Sequence, residues 1–405
     1  MQLLNKDQQL PKEICMFNYE SLSGYVENSL RPKVLSDYLE DCFGCSSIIN
    51  SKNNQGSVYQ HLLSFIKTHF VISEYPQVHP AYFQECYPKS LTQNCHKVGE
   101  GLYGEVFLFR DPSGGTTVMK VIPIEGTQTV NGECQKKLKE AFPELLIATE
   151  LSDLRCNRIN QTSSFIEVKN IRCVQGRYPE ELLELWNLYK ESRGSINDSP
   201  EIFTDNQLYL ILETSYGGCD MESFIFDNAA QAFSLFLQVA FALAVAEEEL
   251  QFEHRDLHWG NILLSRIPTD EKITFKLEGK EIKIGSYGIK ATIIDFTMSR
   301  ITAHDVDIST DLGKDCGIFK GSHDYQFEVY QLMRSKNGNE WSHFEPFSNI
   351  LWLSYILDKT ITALNYTDTT SKLHKKYLNK LKELNLEVLG YDSVKGFVRD
   401  MFSNK

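Results

Sequence analysis

The sequence predicts an α+β chain folded as two lobes, the first β-rich and the second mainly helical, behind a helical amino-terminal extension. Three observations carry this. Apolar residues recur at helical spacing in "SLRPKVLSDYLEDCF" and "SVYQHLLSFIKTHF", up to about residue 93. From about residue 95 the period shortens to strand alternation in "GEVFLFRD" and "TTVMKVIPI", joined by the turn residues "PSGG". Past the glycines at 217–218 the pattern is again mostly helical. The expected boundaries are 1–93 for the extension, 94–216 for the first lobe and 217–405 for the second.

Within this frame, polar "NSKNNQG" divides the extension into two helices whose apolar faces need the next domain to lie against. "GECQKKLKEAFPELLIATELSDL" reads as helix, with Pro143 kinking it or starting a new segment. "DNQLYLILET" is a strand stopped by two glycines, and "KITFKLEGKEIKIGSYGIKATIIDF" (272–296) alternates as a hairpin does. The most apolar run, "AFSLFLQVAFALAVA" (232–246), is short for a bilayer span and carries Ser234 and Gln238, so it reads as a helix inside a large core.

The chain has 405 residues, 42% hydrophobic and 23% charged, an ordinary globular composition long enough for two lobes. A net charge of −13 argues against direct nucleic-acid binding and favours a cationic partner such as a basic peptide. Ten cysteines form no disulfide framework, as expected in a reducing compartment. Cys42 and Cys45 in "CFGC" lack a second Cys/His pair at zinc spacing and read as ordinary thiols. The amino terminus has no signal-peptide apolar region, which predicts an intracellular protein without a membrane.

Five fragments carry chemistry, in an order that matters. "VGEGLYGEV" sets Gly99, Gly101 and Gly104 between two strand-like runs, where glycine lets backbone N–H groups approach phosphates. A dinucleotide site would need a helix after the last glycine, and "EVFLF" is strand. Lys120 ends the apolar run in "VMK", where a kinase places the lysine that grips the α- and β-phosphates. Its partner carboxylate is assigned to Glu144 on the helical run that follows, with Glu140 and Glu150 also available. "HRDLHWGN" spaces Asp256 and Asn261 as a kinase catalytic loop does, the first to take the proton of an attacking hydroxyl, the second to reach magnesium. "TIIDFT" adds Asp295 as the second magnesium ligand, phosphate oxygens and water completing the octahedron. A two-lobed protein-kinase-like fold using ATP and Mg2+ is therefore expected. Thr297 replaces the usual glycine after Asp-Phe, the gap from Asp256 to Asp295 is long, and no A-P-E follows. These departures predict activity without activation-segment phosphorylation.

Together they resemble the haspin family, divergent eukaryotic protein kinases that phosphorylate the third residue, a threonine, of histone H3. The similarity runs from about Val98 to about Lys359 through "FPELLIATELS", "CVQGRYPEELLELW", "YGGCDME", "LAVAEEELQFEHRDLHWGNILL", "IIDFTMSR" and "DYQFEVYQLM". It implies Asp256 as catalytic base, Lys120 with Glu144 as the ion pair, and Asn261 with Asp295 on magnesium. It further implies nucleotide contacts from Gly99, Gly101, Gly104, Val106, Glu213, Ser215, Gly217, Phe296 and Thr297, with Thr214 near the gatekeeper position. Asp220 is then a carboxylate for a substrate lysine, or alternatively the cap of a helix starting near Met221. His258 lies beside the bound peptide, and Asp311 and Asp315 are further acidic contacts. Where the family carries another acidic residue this chain has Gly317, so recognition of the substrate arginine is either weaker or supplied by Asp307 or Glu100. Asp324 braces the catalytic loop from a helix start. The implied partner is a histone H3 tail and the implied location nuclear or chromosomal, with cytoplasmic residence also open.

Two rivals remain. A small-molecule kinase of the aminoglycoside or choline type shares "HxDLHxGN", but Arg255 and the lack of a second carboxylate two residues after Asp295 count against it. A pseudokinase scaffold is opposed by the complete set of catalytic side chains.

Overall fold

The computed structural model describes residues 80–403, apart from 102, 111–113, 304–305, 315–316 and 323. The two extension helices, the Cys42/Cys45 pair and Asp315 therefore lie outside the described residues. The described chain opens with strand β1 (Ala81–Tyr82) and short helices α1 (Phe83–Cys86) and α2 (Lys89–Thr92). Next come β2 (His96–Gly101), β3 (Gly104–Arg110), β4 (Thr116–Ile124), the tiny ribbon of β5 (Thr129–Val130) and β6 (Glu133–Cys134), and helix α3 (Leu138–Asp153). β7 (Val168–Gln175), α4 (Glu180–Arg193) and β8 (Leu208–Ser215) complete the lobe.

The main sheet runs β1-β7-β8-β4-β3-β2. Strands β4 and β8 divide their side chains between two apolar layers, because successive side chains leave opposite faces of a strand. Leu210 and Leu212 of β8, with Ile122 and Ile124 of β4, face Phe142, Leu145 and Leu146 of α3. Tyr209, Ile211, Met119 and Val121 face the other way, onto Phe83, Tyr87, Tyr178 and Leu182. The segment before residue 93 thus enters this lobe's core through Phe83 and Tyr87, each nearly fully buried.

The second lobe contains β9 (Cys219–Asp220), α5 (Ala229–Leu250), β10 (Ile262–Arg266), β11 (Lys272–Leu277), β12 (Lys280–Gly285) and β13 (Ile289–Ile293). It continues through β14 (Arg300–Ala303), β15 (Val306–Ser309), α6 (Tyr325–Lys336), α7 (Phe347–Thr362), α8 (Lys372–Glu387) and α9 (Val394–Ser403). α5 is the axis. Asn228 caps it by accepting from the Ala230 N–H, and Gln251 ends it in a left-handed turn. Its 22 residues are long and apolar enough to cross a membrane by composition, yet 89% of that window is buried inside the protein. The helix exceeds the 15-residue run in the sequence because alanines and polar residues extend it at both ends. Ser234 donates to the Gly285 carbonyl, and Gln238 bonds the Ile289 carbonyl and the Ala291 N–H. These polar side chains tie the axis to the strands laid over it, which explains their place in an apolar helix.

Three local expectations are corrected. The helix predicted from Gly132 begins at Leu138, since Glu133–Cys134 pairs as strand, and it passes through Pro143 without ending. The 272–296 alternation is two things: a β11–β12 hairpin turning at Glu278–Gly279, both with positive φ, and then β13, which pairs with β10. A strand pattern alone does not name its partner. Finally, no helix follows Asp220; the chain makes a turn there instead.

Candidate active site

The candidate catalytic residues come from four places that the folding brings within electrostatic reach of one another: β4, α3, the loop before β10 and the stretch after β13. Lys120 sits in β4, paired on either side with Val106 and Leu212. Its ammonium lies 2.9 Å from Glu144 Oε1, on α3. Burial pulls this ammonium down, but the Glu144 and Asp295 carboxylates outweigh it and hold its pKa above the ordinary lysine value. Glu140, the nearest alternative partner, is used at the start of α3, where it accepts from the Lys137 N–H. Lys136 approaches the second Glu144 oxygen at 3.6 Å, so this carboxylate is held from both sides.

The glycines of the β2–β3 loop have different reasons to be glycine. A Cβ on Gly104 would sit 2.2 Å from the Val121 carbonyl oxygen, so this position is fixed by the close approach of β4 rather than by a ligand. Gly99 and Gly101 have room, with nearest neighbours at 3.8 and 4.0 Å. Beneath the loop, Lys97 is buried between Glu100 and Glu105, 2.7 and 2.8 Å away, with the Tyr189 ring 3.7 Å from its ammonium. Ser195 donates to Glu100, and Asn197 donates to both the Gly101 carbonyl and Glu105. The segment after α4 thereby clamps the loop. Glu100 takes part in this clamp, and Asp307 pairs through Oδ1 with Arg300 while its side chain stays about half exposed.

Beyond β8 the strand pairing stops. Glu213 is turned aside: its carboxylate accepts from Tyr87 and lies 3.6 Å from Arg172, and its backbone lies inside the sheet between Met119 and Asn170. It is therefore corrected from nucleotide contact to strut. Ser215 still pairs with Thr117. The backbones of Tyr216 and Gly217 make no hydrogen bond among the described residues. Gly218 follows with φ of 103°, where a Cβ would collide with the Leu264 carbonyl.

The catalytic loop is braced from below. His254 is fully buried; its Nε2–H donates to the Ile294 carbonyl at 3.0 Å, and Nδ1 accepts from the Asp256 N–H. Burial drives its pKa down to about 4, so the imidazole is neutral in this role. The unfolded-state value near 6.5 lies above the folded one. The folded protein resists protonation, so His254's contribution is complete above pH 6.5 and is lost as pH falls toward 4. Between pH 7 and pH 5 the loss is about 2 kcal/mol. Imidazole NMR should show this ring still neutral at pH 5.5 in the folded protein; a ring titrating near 6.5 would refute the brace.

Asp256, 17% exposed, presents its carboxylate at the cleft. Desolvation lifts its pKa to about 7, against the Tyr330 hydrogen bond that favours the ionised form. Tyr330 of α6 donates to Oδ1. Asn261 Nδ2 lies 2.8 Å from the Asp256 carbonyl and 3.5 Å from Oδ2. This commits the amide nitrogen and leaves the Asn261 side-chain oxygen available to a metal. Asp295 has φ of 60° and accepts from Thr297 at Oδ1, both from its N–H and its hydroxyl. Burial opposes ionisation, but Lys120 and the Thr297 donors keep this carboxyl below the usual range. Its Oδ2 makes no hydrogen bond among the described residues. The donor set fits magnesium that arrives with phosphates: one amide oxygen and one carboxylate, with no cluster of three or more His, Cys, Asp or Glu among the described residues to hold a metal alone. Phe296 is buried against Phe165 and His254.

The residues assigned to peptide are more scattered in their engagements. His258 Nδ1 accepts from Gly260, and burial holds its pKa below the ordinary value. Asp220 accepts from both the N–H and the hydroxyl of Ser223, closing the turn. Asp311 accepts from the Gly313 N–H. Asp324 caps α6 at Gln326 and pairs with Lys359 at 2.6 Å, and Lys359 lies over the Trp259 ring of the catalytic loop. Tyr330 and the Lys97 clamp went unassigned in the sequence, whereas Tyr216 lies within the stretch 213–217 expected to form the nucleotide hinge.

A family model described as "Haspin like kinase domain" matches residues 23–390. The serine/threonine-protein kinase haspin homolog of Drosophila melanogaster is 38% identical over 335 residues, covering 81% of this chain and 59% of that protein. The haspin of Mus musculus is 38% identical over 351 residues, covering 83% of this chain and 46% of its own length. The Arabidopsis thaliana homolog is 38% identical over 341 residues, with 82% and 54% covered. The chain thus spans about half the length of these curated relatives. With most of its length matched, including both lobes and every motif residue above, the chain belongs to the haspin-like kinase family.

Proposed function

We propose that the chain is a serine/threonine protein kinase that transfers the ATP γ-phosphate to a threonine near the amino terminus of histone H3, acting at mitotic chromatin in the nucleus. The observation that carries the reading is the meeting of Lys120–Glu144, Asp295, Asn261 and Asp256 at one cleft. In this reaction Asp256 accepts the proton of the threonine hydroxyl as its oxygen attacks the γ-phosphorus and the bond to the β-phosphate oxygen breaks. Lys120 holds the α- and β-phosphates, and the loop clamped by Lys97 and Asn197 closes over them. Magnesium, when bound by Asn261 and Asp295, neutralises charge on the phosphates. A cationic tail suits a chain of net charge −13, with Asp220, His258 and Asp311 proposed along its path.

The acceptor is tested by offering the purified chain Mg-ATP with a histone H3 tail peptide, choline and an aminoglycoside. Transfer to the peptide, weakened when its arginine and lysine are neutralised, is expected. Transfer only to a small molecule overturns the protein-kinase reading.

Activity independent of phosphorylation follows from Arg255. In many kinases the arginine before the catalytic aspartate receives a phosphate from the activation segment. Here Arg255 is fully buried, bonded by Nε and Nη2 to Glu253 at 3.2 and 3.0 Å, and lies 5.4 Å over Trp341. Bacterially made, phosphate-free protein is expected to turn over at the same rate as protein pretreated with another kinase; a dormant unphosphorylated form would contradict this.

A further inference from the structure

A carboxylate general base has two oxygens, and only one can face the substrate. The χ2 torsion that exchanges them is soft and roughly two-fold, so something must choose. Asn261 is the weaker candidate, since its Nδ2 bonds the Asp256 main-chain carbonyl at 2.8 Å and reaches Oδ2 only at 3.5 Å. His258 stands further off, at 3.9 Å from Oδ2. The remaining partner is Tyr330, whose hydroxyl donates to Oδ1.

That phenol is held by packing. Tyr330 is 5% exposed, on α6. Its ring meets Trp352 of α7 edge-on at 5.5 Å and Phe327 at 6.2 Å. Trp352 is fully buried, and Tyr355 lies 5.3 Å beyond it. A hydroxyl on such a seat has little choice of direction. α6 itself is anchored by the Asp324 cap and the Asp324–Lys359 pair. We infer that Tyr330 is a positioning residue for phosphoryl transfer: by fixing Oδ1, it leaves Oδ2 of Asp256 aimed at the acceptor hydroxyl. The inference rests on the kinase reading given above and adds to it a residue that lies within "DYQFEVYQLM" but carried no expected role of its own.

Tyr330→Phe keeps the ring and its packing and removes only the hydroxyl. Because the lost bond is charge-assisted and serves the reacting geometry, kcat is expected to fall on the order of 10- to 100-fold. The KM values for ATP and peptide, and the affinity for Mg-ADP, are expected to stay within about twofold of wild type, a split that uniform structural damage does not give. In an Asp256→Asn background the same change is expected to cost nothing further, since the two residues act as one unit. Where Tyr330→Phe does not fold, Trp352→Phe, which removes part of one wall of the seat and leaves the hydroxyl, should show the same split at smaller size. A wild-type kcat in the folded variant, or equal losses in kcat and nucleotide affinity, overturns the inference. An inactive wild-type protein in the same assay instead overturns the kinase reading and is told apart at once.

Discussion

Asp256→Asn leaves a folded protein that binds Mg-ADP as wild type does and transfers phosphate roughly 10²- to 10⁴-fold more slowly. The amide preserves shape but cannot take the proton of an acceptor hydroxyl. Folding should survive because the loop's supports lie elsewhere: His254 on Ile294, Asn261 on the Asp256 main chain, and Lys359 over Trp259. Nucleotide affinity should survive because Lys120, Glu144 and Asp295 are untouched. Single-turnover phosphorylation of a tail peptide, alongside calorimetric titration with Mg-ADP, measures both. Wild-type turnover in this variant would remove Asp256 from the chemistry.

Glu253→Gln is expected to cost stability. Glu253 is 1% exposed, and its two oxygens accept from Arg255 Nε and Nη2, the Glu345 N–H and the Ser348 hydroxyl. Its main chain also exchanges hydrogen bonds with Arg300 of β14. The carboxylate therefore joins the catalytic loop to the start of α7, and the main chain of the same residue joins it to β14. An amide in its place points a donor at donors and strands a buried guanidinium, at a cost of roughly 3–5 kcal/mol. Against a typical domain stability of about 5–15 kcal/mol this is large. Denaturant unfolding reads it directly. The double variant Glu253→Leu/Arg255→Met, which removes both charges, should be more stable than Glu253→Gln. A single variant that melts with the wild type would show that the pair carries no such weight.

These two cases mark what the sequence made legible. Asp256, Asn261, Lys120 and Asp295 were readable because phosphate chemistry fixes their spacing along strands and loops. Glu144 was separable from Glu140 only in three dimensions, where the second proves to cap α3. The partners of Glu213, Glu100 and Asp256 were hidden for a common reason. Tyr87, Ser195 and Tyr330 reach them from 126, 95 and 74 residues away in sequence. Local pattern also carried the helix of α5, whose apolar run is long, but not the fate of 289–293, whose alternation suited either of two neighbours. Gly104 shows the converse: a glycine readable as a phosphate cradle is required by the carbonyl of Val121.

The central claim is that the Asp256 carboxylate faces an acceptor hydroxyl across a magnesium-bound triphosphate. A crystal structure with Mg2+, a non-hydrolysable ATP analogue and a histone H3 tail peptide tests it most directly. The threonine hydroxyl should lie about 3 Å from Asp256 Oδ2, with Asn261 and Asp295 on the metal. An Asp256 side chain turned from the nucleotide, or a peptide bound with its hydroxyl out of reach, would contradict the account.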